Sequence, residues 1–246
     1  MEVVSQNKID DLIENGYALR VSDYISGGIK MVKNNLGPFV GFTVLMMIIN
    51  SFLGMVPFGA IAVGAPLSAG YFLAANKVSR GYELEFADFF KGFDYFGQLV
   101  VYSILVVLLV AALAVPSGML VFTMIALDFH EGPAILIGLV FGLAVLAVVI
   151  YLVVSFIWAP HLIVFAKKKA WESMELSRNI IKKDFLNFLG FGLMLGLLNF
   201  AGLMFFGVGL LFTIPVSACA LYLAFEDVTD MQLENSESYI DNHLVD

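Results

Sequence analysis

Residues able to do chemistry are few in this sequence, and they stand apart. The three histidines, His130, His161 and His243, are far from one another in the chain. No glycine-rich phosphate loop follows a strand, and no His/Glu pair has zinc-binding spacing. The single cysteine, Cys219, lies within an apolar run, so one chain builds neither a disulfide framework nor a thiolate metal site. With no nucleophile, base and metal set to assemble, the expectation is a protein that is not an enzyme and holds no cofactor.

The polar residues placed inside apolar runs are amides, Asn50 and Asn199. An amide in hydrocarbon needs a partner, and the expected role is interhelical glue worth roughly 0.6–2 kcal/mol. A competing reading joins them to Pro66 and Pro215, expected helix breaks whose freed carbonyls, with the two amides, would line a path for a small neutral or amphipathic solute. No Asp, Glu, Lys or Arg falls at mid-run, which disfavours an ion-coupled carrier. Lys167, Lys168 and Lys169 either grip anionic lipid headgroups, at about 1 kcal/mol per charge, or only fix topology. His161, four residues before Phe165, is either a group titrating near neutrality or an interfacial histidine hydrogen-bonded beside Trp158.

The elements that position these residues must lie in lipid. Of the 246 residues 60% are hydrophobic and 14% charged, with mean hydropathy +0.91, against about 45–50% and about a quarter in soluble domains. Apolar runs cover Phe39–Val56, Phe58–Ala75, Gly97–Leu127, Ala134–Ala166, Phe185–Met204 and Gly207–Phe225. About 20 such residues span a bilayer, so the expected fold is an all-α bundle of about six transmembrane helices in three hairpins. The middle pair, of 31 and 33 residues, exceeds one bilayer thickness and must tilt, project, or kink at Pro116 and Pro160; projection with tilt is expected.

All 13 Lys and Arg fall before the first run, after the second, or after the fourth. Bases in short flanking loops stay cytoplasmic, which places both termini inside and Asp128, His130 and Glu131 outside. The first 20 residues form a polar segment without a signal-peptide core, residues 21–225 a single membrane domain, and 226–246 an acidic, disordered tail. That base-free tail, within a net charge of -8, argues against nucleic acid as a partner.

An ungapped offset of 149 residues superposes the first hairpin on the last, with 10 identities in 43 positions. It pairs Asn50 with Asn199 and Pro66 with Pro215, and suggests a parallel repeat. Amphipathic helices are expected at the membrane surface, where they either tile the inner mouth of the bundle or sense lipid composition or curvature: one on Ile25, Ile29, Val32 and Leu36, one on Met174, Ile181 and Phe185. A third sets Phe86, Phe89, Phe90, Phe93 and Phe96 opposite Asp88, Lys91 and Asp94. Small residues four apart (Gly138/Gly142, Gly192/Gly196, Ala60/Gly64/Ser68) let helices approach closely, within one subunit, in a homo-oligomer or against another membrane protein.

The stretches Ala65–Tyr71, Arg80-Gly81, Phe86–Phe93, Trp158-Ala159-Pro160, Ala170–Ser173 and Thr213–Val216 resemble a group of uncharacterised bacterial membrane proteins. That group is similar to the membrane domain attached to some bacterial glycerophosphodiester phosphodiesterases, whose catalytic domain has no counterpart here. The resemblance implies a six-helix fold in the bacterial inner membrane and no catalysis. The expected function is structural, accessory or lipid-interacting, with membrane lipids as partners; the alternative is a channel or uncoupled carrier.

Overall fold

The computed structural model describes residues 4, 6–55, 59–126, 132–229 and 231, which are mostly helical with no strand among them. In chain order the elements are α1 (Gln6–Asn15), α2 (Val21–Asn34), α3 (Leu36–Leu53), α4 (Gly59–Ser79), a 3₁₀ segment η1 (Phe86–Tyr95), α5 (Phe96–Ala126) and α6 (Gly132–Ser155). Then come α7 (Ala159–Phe165), α8 (Ala170–Lys182), α9 (Phe185–Met204) and α10 (Leu210–Thr229). The turn at 56–58, the loop with Asp128, His130 and Glu131, and the tail from 232, with His243, lie outside the described residues.

Five stretches are long and apolar enough to cross a membrane: Leu36–Leu53, Phe86–Thr123, Leu136–Phe165, Phe185–Met204 and Leu210–Thr229. This is an all-α, multi-pass membrane protein. The expected sixth, α4, has 21 residues and is rich in small and polar ones. None of its described side chains is exposed, because it lies among η1, α3, α5, α7 and α10 rather than against lipid. On the outer hairpin Phe122 of α5 is 72% exposed and Leu136 of α6 61%. Surfaces of that kind are costly in water and ordinary in lipid.

The ends α3, α5 and α9 start from, and those where α4, α7 and α10 finish, are tied together by long-range bonds. The Tyr17 hydroxyl donates to Ile180 O at 3.0 Å, Tyr24 to Asp227 at 2.6 Å, Ser79 to Glu226 at 2.8 Å, and the Ala170 N–H to Gln98 at 2.9 Å. All 13 bases lie in segments that meet here, and we call it the basic end. Glu226 and Asp227, expected in the tail, belong to α10: Glu226 is buried, and Asp227 pairs with Arg20. The polar N-terminal segment holds α1, with Ile9 and Leu12 buried on the bundle.

α8 buries the expected Met174 and Ile181, whereas α2 and η1 differ from the sequence expectation in the faces they bury. α2 lies along α10 through Tyr24, Gly28, Met31 and Val32, leaving Ile29 and Leu36 exposed. Gly28 is needed there, since a Cβ would sit 2.8 Å from Val216 O. η1 turns with about 3.0 residues per turn, so a row of five phenylalanines drawn for an α-helix does not form. Instead Asp88, Phe89 and Gly92 are buried together. The Asp88 oxygens accept from Lys77 and Lys91, each at 2.7 Å, and Phe89 stacks on Phe42 of α3 at 4.4 Å. The first members of the expected repeat, α2, α3 and α4, begin 149, 149 and 151 residues before α8, α9 and α10.

Candidate functional site

Asn50 and Asn199 occupy corresponding places on α3 and α9, and each amide donates to the carbonyl one turn back: Met46 O at 2.8 Å and Leu195 O at 2.9 Å. Only Asn199 also crosses between helices, donating to Ser217 Oγ of α10 at 2.8 Å. The expected glue thus exists at Asn199, whereas Asn50 makes no interhelical bond among the described residues. Asn199 Oδ1 is buried without a partner among them.

Pro66 and Pro215 do not break their helices; both lie inside continuous α4 and α10. What Pro66 marks is a backbone-to-backbone seam. A Cβ on Gly92 would lie 2.1 Å from Pro66 O, and one on Gly70 2.0 Å from Phe89 O. Close approach falls on Gly70 and Gly92, as on Gly28 and on the Gly202–Gly209 pair, and not on Gly64, Gly142, Gly192 or Gly196 of the small-residue stripes, which have no atom within 4 Å of a built Cβ.

The fourth apolar run, expected as one helix, ends as α6 at Ser155 and resumes as α7, with Pro160 in the first turn, where its missing N–H costs nothing. The intervening turn would strand buried backbone groups. Ser177 of α8 supplies them: its hydroxyl donates to Ser155 O at 2.7 Å and accepts from the Trp158 N–H at 3.3 Å. Tyr102 of α5 donates to Phe156 O at 3.3 Å. α8 is thereby fastened across the basic ends of α5, α6 and α7.

Beneath α8 this arrangement leaves a cavity of about 200 Å³ floored by Leu109, Leu152, Phe156 and Met174, with Trp171, Glu175 and Arg178 at its rim. Sequence reasoning missed it, because the amphipathic face of α8 was read as lying on the membrane surface. Lys167, Lys168 and Lys169 form the α7–α8 turn beside it. Lys167 has a left-handed φ of 50°, Lys168 pairs with Glu172 at 2.8 Å, and Lys169 is the N-cap of α8. His161 is not an exposed interfacial residue. It is fully buried, stacked on Phe72 at 3.8 Å, and neither ring nitrogen has a partner among the described residues.

No group of three or more His, Cys, Asp or Glu among the described residues could hold a metal. No family model, no curated protein and no solved structure matches the chain.

Proposed function

We propose that this chain is a non-enzymatic protein of the bacterial cytoplasmic membrane, with both termini cytoplasmic and a structural, accessory or lipid-interacting role. The observation that carries it is the fate of the intramembrane amides: their N–H groups are used by carbonyls of their own helices and by Ser217, as packing groups are, rather than left facing a path. The coincident starts of α2–α4 and α8–α10 fit a parallel duplication in which the two hairpins and their leading helices build one scaffold. We propose as well that the fold is similar to the membrane domain attached to some bacterial glycerophosphodiester phosphodiesterases, a likeness that assigns no activity.

A channel or uncoupled carrier for a small neutral or amphipathic solute is the second reading, favoured by the unmatched Asn199 Oδ1. Two leucine variants separate them. As glue, Asn199→Leu loses an interhelical bond and costs about 0.6–1.7 kcal/mol, while Asn50→Leu is close to neutral and liposomes holding the wild type stay tight. As a path lining, either variant changes flux at unchanged stability, because a water-exposed amide gives up little when removed. Stability in detergent is measured beside liposome leakage of small neutral solutes; robust wild-type flux abolished by either leucine would overturn the scaffold.

Orientation rests on the segregation of bases to one end. Reporter fusions at Asp128–Glu131 are expected to read external, and fusions at Arg80, Lys168 and Asp246 cytoplasmic. A cytoplasmic signal at Glu131 would reverse the assignment.

A further inference from the structure

The slot under α8 combines an apolar cavity with exposed charges of both signs. Leu109, Leu152 and Phe156 are shared by the cavity of about 200 Å³ and a second of about 100 Å³, which extends the slot between α5 and α6 past Val106 to Tyr102. Its length and apolar walls suit an acyl chain entering sideways from the bilayer. At the mouth Trp171, Glu175 and Arg178 stand at i, i+4 and i+7, one stripe of α8. Glu175 and Arg178 are both exposed, and neither has an ion pair or side-chain hydrogen bond among the described residues. Trp171 is 62% exposed, suited to the headgroup level where indoles gather.

We infer that this slot holds one glycerophospholipid with a phosphoethanolamine headgroup. An acyl chain lies over Leu109, Leu152 and Phe156 while Arg178 takes the phosphate, the planar fork of a guanidinium being suited to two oxygens. Glu175, one turn away, takes the primary ammonium. A phosphatidylglycerol would satisfy Arg178 but bring net negative charge to Glu175. A phosphatidylcholine has no N–H to donate to that carboxylate. The inference rests on the lipid-interacting reading above and adds the headgroup to it.

The chain carries its own reporter. It has two tryptophans, of which Trp158 is fully buried and Trp171 exposed, so Trp171→Phe gives the background. The full-length protein is placed in phosphatidylcholine vesicles holding graded fractions of acyl-brominated phosphatidylethanolamine, phosphatidylglycerol or phosphatidylcholine. Quenching of Trp171 is expected to half-saturate at an about fivefold lower fraction of the ethanolamine lipid than of the other two, the ratio corresponding to about 1 kcal/mol per interfacial charge. Arg178→Gln, which removes the phosphate contact common to all three lipids, should weaken quenching by each of them, and Glu175→Gln should bring phosphatidylglycerol level with or above phosphatidylethanolamine. Both positions are exposed, and unchanged Trp158 emission in the Trp171→Phe background verifies the fold of each variant. Equal quenching by all three lipids, a wild-type preference for phosphatidylglycerol, selectivity indifferent to Glu175→Gln, or affinities indifferent to Arg178→Gln would overturn the proposal. A leaky vesicle under the flux assay would instead overturn the scaffold reading, so the two failures are told apart.

Discussion

Gly92→Ala is expected to lift η1 off α4 and to cost about 3 kcal/mol or more, at or above the top of the usual overpacking range of about 1–3 kcal/mol. The added methyl would meet Pro66 O at 2.1 Å and Gly70 N at 3.0 Å. Both obstacles are backbone, so no rotamer change relieves them. Gly70→Ala meets Phe89 O at 2.0 Å and its carbonyl carbon at 2.9 Å, and should be as severe. Separating the two segments also disturbs the Phe42–Phe89 stack and the Lys77–Asp88 pair, which is why the loss is expected to exceed a single local clash. Gly142→Ala and Gly196→Ala are the controls: nothing lies within 4 Å of either Cβ, and alanine is about 1 kcal/mol the better helix former. Unfolding titrations in mixed detergent and dodecyl sulfate micelles would show the contrast; Gly92→Ala as stable as Gly142→Ala would sink the seam.

That contrast also shows what could be read from sequence. Spacing four apart marks glycines that would face another helix if one lay there, but it carries no information on which helix does. The seam pairs one glycine on α4 with one on η1, 22 positions apart, and no periodicity announces it. The spans were legible because lipid leaves the backbone few choices: the run Phe185–Met204 coincides with α9, and Gly97–Leu127 lies within one residue of α5 at each end. The break after Ser155 was not, since Ser177, which makes it affordable, lies 22 residues further on in a helix assigned to the surface. Asp88 was misplaced because a 3.6-residue period was drawn for a segment that turns with three. α1 could have been found: Ile9, Leu12 and Ile13 have helical spacing, and Ile9 and Leu12 are buried. The slot under α8 needed tertiary structure, because its floor combines α5, α6 and the turn after it with Met174 of α8.

Trp158→Ala is expected to be the most damaging truncation of a single side chain. The indole sits in the α6–α7 turn and touches three other segments: Phe188 of α9 at 4.6 Å, Phe225 of α10 at 5.6 Å and Tyr17 ahead of α2 at 6.1 Å. Removing a buried aromatic costs about 3–5 kcal/mol in soluble cores. Here the lower end, about 3 kcal/mol, is expected, because an unfolded state in lipid already hides the ring from water and only the packing part of the loss remains. Trp158→Phe tests that division. It keeps a ring against Phe188 and removes an indole N–H that has no partner among the described residues, so the lost volume is offset by relief of a buried donor worth about 1–3 kcal/mol. It should fall within about 1 kcal/mol of wild type on that ledger. The same micelle titrations measure both variants, followed by far-ultraviolet circular dichroism because the substitutions alter tryptophan emission. If phenylalanine proved as damaging as alanine, the indole N–H would have to be making a bond, and Trp158 would be a polar anchor rather than a packing one.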